Sequence, residues 1–204
     1  MLRGLAATAG AIVAAACVPE LPGRGPGPRT FRLTPKTTFP PDLPRVAWSL
    51  AVAEPTAEQA LDTTRIAVLT GGTAVDYVAR ATWVDRAPAM VQALIVQSFQ
   101  ASSTVAAVGT DRDRLRAQYL LRSELRAFQL NRGGDGAGTV RVRLDPTLLR
   151  LPRREPVGRT SLAAEVAPDA AGTDATIAAF DTALGKVLRE LVAWTLRTGE
   201  SAAA

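Results

Sequence analysis

The sequence predicts an α/β protein: a single domain in which a mixed, mainly antiparallel sheet carries two long helices. Three observations predict it. Short β-prone stretches with period-two alternation recur from Val46 to Val166, and one pair is joined by Gly71-Gly72. Two other stretches, Met90 to Phe99 and Ile177 to Trp194, repeat apolar residues at three- and four-residue spacing, the period of a helix with one buried face. The chain is 47% hydrophobic and 21% charged, the balance of a sequence that buries a core rather than staying unfolded.

The folded part begins with a short strand at Thr30-Phe31-Arg32-Leu33, followed by a proline-rich stretch with Pro35, Pro40, Pro41 and Pro44. Val46, Trp48, Leu50 and Val52 then alternate with Ala47, Ser49 and Ala51, giving a strand with one large and one small face. Both faces suit burial, which predicts a place near the sheet centre. Arg65–Thr70 and Thr73–Val78 flank Gly71-Gly72, and two glycines between β-prone runs read as a tight hairpin. Next comes a helix, with Asp85 as N-cap and Pro88 in the first turn, where its missing N–H costs nothing. Met90, Val91, Leu94, Ile95 and Phe99 form its core stripe.

Val105–Val108 is a short strand and Tyr119–Leu130 a longer one. In the latter Leu121, Leu125 and Ala127 are expected on one face, with Arg122, Glu124 and Arg126 on the other. Val140, Val142 and Leu144 alternate with Arg141, Arg143 and Asp145, and the glycine-rich Asn131–Gly138 segment joins these two strands as a hairpin loop. Thr160–Val166 is the last strand, with Leu162, Ala164 and Val166 in phase. The closing helix is the strongest element. Thr173 can cap it, and Ile177, Phe180, Leu184, Val187, Leu188, Leu191 and Trp194 make its buried stripe. Gly199 stands where a C-terminal stop is expected, and residues 200–204 are expected to be a disordered tail.

Function classes narrow quickly. The net charge is +5, yet Lys36 and Lys186 are the only lysines, and the arginines are spread along the chain. With no basic block and no basic run interleaved with aromatics, nucleic acid is not an expected partner. The chain has no histidine, which removes the commonest general base and metal ligand. No catalytic constellation, metal cluster or cofactor motif is found, so the expectation is a protein that acts by binding and not as an enzyme.

The N-terminus fixes the expected compartment. Arg3 supplies a positive n-region, an apolar run follows, and small residues abut Cys17, the only cysteine. This is the layout of a lipoprotein signal, with residues 1–16 removed and Cys17 lipidated as the new N-terminus. The apolar run, about 13 residues, is short of the roughly 20 that span a bilayer. Residues 17–29, rich in proline and glycine, read as a tether with a reach of about 30 Å at about 3 Å per residue. The domain proper is expected over residues 30–199.

Several motifs have two readings. Gly133-Gly-Asp-Gly136 lacks the following Lys-Ser/Thr and the helix of a phosphate-binding loop, so a hairpin loop is expected. Asp111–Arg116 reads as a solvated turn, with a partner contact as the alternative. Trp48, Trp83 and Trp194 are expected in the core, and Glu54, Asp62, Asp76 and Asp85 at caps and turns. Arg122, Arg126, Arg141 and Arg143 share a polar strand face, moderated by Glu124 and Asp145. That face is either a wet outer surface or a partner or self-association contact, because arginine is enriched at interfaces.

In order along the chain, these pieces resemble the ABC-type transport auxiliary lipoproteins, the PqiC-like family. The carrying residues are Cys17, the Phe31-Arg-Leu33 strand, the Leu-x-Val-x-x-Pro run from Leu50 to Pro55, and Leu61-Asp62-x-x-Arg65-Ile66 before the hairpin. Asp76-Tyr77, Ala81-x-Trp83, Pro88 and Val91-Gln92 complete the set. The resemblance implies an accessory part of an envelope ABC system with MCE-domain subunits that moves lipids between membranes. It implies neither the ATPase nor the permease, but a periplasm-facing partner of the MCE-domain and transporter subunits, held by its lipid and open to homo-oligomer formation. The resemblance implies the outer membrane before the inner, and Val18, rather than an aspartate, after the cysteine is compatible with that. The alternative is a stand-alone scaffold lipoprotein that supports an outer-membrane assembly.

Overall fold

The computed structural model describes residues 27–133 and 138–203. Along them run β1 (Arg29–Phe31), β2 (Val46–Val52), β3 (Thr56–Ala57), β4 (Arg65–Thr70) and β5 (Ala74–Trp83). Helix α1 (Ala87–Ser102) precedes β6 (Val105–Thr110), β7 (Tyr119–Arg132), β8 (Gly138–Arg150), β9 (Glu155–Arg159) and β10 (Leu162–Val166). Helix α2 (Thr173–Ala203) closes the chain. The expected class holds: one sheet, mainly antiparallel by ladder length, with two helices.

The long β7–β8 hairpin is the spine of the sheet. β7 is flanked on its other side by β2, β3 and β4, all parallel to it, at successive positions along its length. β2 leads outward to β6, and β4 leads through β5 to β1. The far side of β8 pairs antiparallel with β10 and β9. β2 therefore lies one strand in from the β6 edge, and the spine takes the central place expected for it. Its large face is buried, with Trp48, Leu50 and Val52 in the main core, whereas of its small face Ala47 is exposed, Ser49 half-buried and only Ala51 buried, packed with Leu120 and Leu149 in a small second cluster.

Both helices lie on one face, and their apolar stripes share a single core with the sheet. Met90, Val91, Leu94, Ile95 and Phe99 are buried, as the 3.6 period predicts. So are Phe180, Leu184, Val187, Leu188 and Leu191, while Ile177 and Trp194 are half-buried at its margin. Trp83, Phe128 and Phe180 meet at centroid distances of 5.1–5.5 Å, joining β5, β7 and α2.

Four local expectations change. The α1 N-cap is Arg86 rather than Asp85, and Asp85 instead accepts the Arg86 N–H through Oδ1 at 2.7 Å. β7 carries a bulge between Leu125 and Ala127, so the core phase shifts and Phe128 and Leu130, not Ala127, continue the Leu121–Leu125 face. β3 and β9 are additional strands; each is short, and Pro156 and Gly158 break the alternation of β9.

The fourth concerns Gly199. Helix α2 runs past it to Ala203, so residues 200–203 are helical and not a frayed tail. Gly199 is a close-approach glycine: a Cβ there would stand 2.4 Å from Cζ2 of Trp48. The Trp48 ring is itself held edge-on by Tyr119, whose hydroxyl donates to the Gly199 carbonyl at 3.2 Å.

The N-terminal segment is stitched to α2. Arg29 forms a two-pronged pair with Asp174, the Thr34 N–H donates to Asp181 Oδ1 at 2.7 Å, and Arg197 reaches Asp42 at 2.9 Å. Cys17, residues 1–16 expected as a signal and residues 17–26 of the expected tether lie outside the described residues, as do residues 134–137 of the glycine-rich loop.

Candidate functional site

Among the described residues no helix covers the second face of the sheet, and the arginines singled out from the sequence stand there. β7 and β8 alternate so that Leu121, Leu125, Val140, Val142 and Leu144 turn to the core. Arg122, Arg126, Arg141 and Arg143 consequently share the other face.

Three of the four are ion-paired. Arg126 sits 2.9 Å from Glu124 and 3.5 Å from Asp145. Arg143 donates to both Asp145 oxygens, at 3.0 and 3.1 Å, and Arg141 lies 3.4 Å from Glu165 of β10. Arg122 makes no ion pair among the described residues.

Asp145 is the hub of this network. Its partial burial pushes the carboxyl up, but the Ser161 hydroxyl, the Arg143 fork and the charge of Arg126 outweigh that and hold it below the usual carboxylate value. The folded value thus lies under the unfolded one, about 3.9. The resulting stabilisation is complete above that pH and is lost as pH falls through the lowered folded value. Asp145→Asn is expected to flatten this part of the acid dependence. Between about pH 6 and about pH 3 its melting temperature should fall less than that of the wild type.

Beside the network lies a polar groove of about 380 Å³, lined by Thr56, Arg122, Glu124, Asp145, Thr147 and Arg159 among others. Leu149 and Pro156 add apolar wall. The strand register builds it: Arg122 of β7 stands opposite Thr147 of β8, which stands opposite Arg159 of β9. The Arg159 Nε donates to the Thr147 hydroxyl at 3.3 Å. Of these residues the sequence singled out Arg122, Glu124 and Asp145. Thr56 and Arg159 were hidden because β3 and β9 carry no legible alternation.

The Asp111–Arg116 turn is tied back to the domain. Asp113 accepts the Thr110 N–H at 2.6 Å, and Arg112 pairs with Glu54 at 3.0 Å. Glu54 and Asp62 together clamp Arg86, so both are ion-pair partners rather than caps. No helix among the described residues is long and apolar enough to cross a membrane.

The model of the ABC-type transport auxiliary lipoprotein component matches residues 31–192, and the chain belongs to this family. A Xanthomonas campestris protein of known crystal structure is similar over 86% of this chain and 98% of its own, with 29% identity and a TM-score of 0.81. An uncharacterized protein of Bradyrhizobium diazoefficiens is 28% identical over 167 residues, 82% of this chain; the chain spans 44% of the length of that relative. A further uncharacterized protein of known structure shares the fold at a TM-score of 0.55 and 13% identity.

Proposed function

We propose that this chain is a non-enzymatic, lipid-anchored accessory subunit that docks on the periplasmic end of an MCE-domain assembly, and secures it at the outer membrane so that lipid crosses without contact with water. The observation that carries the reading is the family match, which runs from β1 into α2 and so covers the fold just described. The order of Cys17, a proline-rich reach and a domain supports the anchor, because two or three acyl chains hold a protein stably where one does not. The open, arginine-bearing sheet face is the docking surface in this reading.

Co-purification tests it. The tagged chain is expected to bring down ATPase, permease and MCE-domain subunits from membranes. Reversal of Arg122 and Arg141 to Glu should weaken that recovery, most at low salt, where the field of the face is least screened. Cys17→Ser should shift the chain out of the membrane fraction. Recovery of the wild-type chain without any transporter subunit would refute the reading.

A further inference from the structure

We infer that the groove between β7, β8 and β9 binds a phosphate-bearing small molecule, gripped between Arg122 and Arg159. The inference goes beyond the transport reading and is tested on the chain alone.

The strand register is the first ground. Arg122, Thr147 and Arg159 occupy one row across three adjacent strands on the open face. Neighbouring strands lie about 4.8 Å apart, which puts the two arginine backbones about 10 Å from each other with a hydroxyl between them. The row thus carries two like charges and no carboxylate.

The second ground is that this charge is not neutralised internally. Neither Arg122 nor Arg159 makes an ion pair among the described residues, although Arg126, Arg141 and Arg143 on the same face all do. The carboxylates of the next row, Glu124 and Asp145, are already engaged by Arg126 and Arg143. Among the described residues only Thr147 accepts from Arg159, through Nε, which leaves its terminal nitrogens for a ligand.

The third ground is shape. A volume of about 380 Å³ falls at the lower end of small-molecule sites, which run from about 300 to 1,000 Å³. It exceeds what a bare oxyanion fills and leaves room for a small substituent against Leu149 and Pro156. A guanidinium fork satisfies one carboxylate by itself; two forks lining one groove match the larger oxygen set and charge of a phosphate. The hydroxyls of Thr56 and Thr147 supply further donors.

The test is calorimetric titration of the purified full-length chain with two probes, glycerol 1-phosphate and dihexanoyl phosphatidylglycerol below its micelle concentration. Saturable binding of at least one is expected, and Arg122→Gln and Arg159→Gln should each weaken it about tenfold or more. Both side chains are exposed, so unchanged melting of the variants confirms that the fold is intact. Arg153→Gln, at a residue paired with Glu155 outside the groove, should leave binding unchanged. Equal affinity for the two probes assigns the site to soluble organophosphates, and preference for the acylated probe assigns it to lipid headgroups. Absence of saturable binding to both overturns the inference. So does binding that the groove variants leave unaltered, or that Arg153→Gln weakens equally.

Discussion

Leu188→Asp is expected to abolish the folded domain, leaving the chain insoluble or without a cooperative melting transition. Leu188 is fully buried in the α2 stripe, between Leu184 and Leu191 on one face and beside Val187 and Val192. Loss of its burial removes about 1.5–3 kcal/mol. An uncompensated carboxylate in its place adds several kcal/mol more. Against a total stability of about 5–15 kcal/mol, that sum is enough to unfold most domains. Thermal denaturation followed by circular dichroism decides it. A soluble variant that melts at the wild-type temperature would mean that α2 does not complete the core.

Phe180→Ala is expected to cost about 3–5 kcal/mol and to lower the melting temperature by roughly 10 °C. Phe180 is fully buried and is the only member of the Trp83–Phe128–Phe180 cluster that comes from a helix. Its ring is held from two strands, so the surroundings have little freedom to close over the space it leaves. Ile177, one turn earlier and half-buried, provides the contrast: Ile177→Ala should cost clearly less. Equal losses at the two positions would show that the cluster is not the anchor of α2.

How far the sequence reveals this fold depends on the reach of each signal. The stripes of α1 and α2 are local, so 3.6-residue periodicity exposes Met90 to Phe99 and Ile177 to Trp194 without knowledge of the rest. The Gly71-Gly72 turn is equally local: both residues take positive φ, 60° and 81°, which glycine adopts freely. The β7 bulge is different. Period-two reading carries Leu125 on to Ala127, and only the three-residue step from Leu125 to Phe128 betrays the extra residue. Gly199 resembles a helix stop because its real constraint, the Trp48 ring, is contributed by a residue about 150 positions away. The site follows the same rule. Arg122 is legible because it lies in the part of β7 before the bulge, where the alternation holds. Its row partners are set by the pairing of β8 with β9, which no single segment encodes.

The stitches between the segment from Arg29 to Asp42 and α2 also bear on the order of folding events. Arg29–Asp174, Thr34–Asp181 and Asp42–Arg197 span 145, 147 and 155 positions, while β1 pairs with its neighbour over three residues only. Contacts of such separation require large loops to close first, which slows folding. At synthesis rates of about 5–20 residues per second, α2 becomes available on the order of ten seconds after β1. During that interval the leading strand has only its three-residue ladder to β5. The last helix made is thus the clasp for the first of these strands.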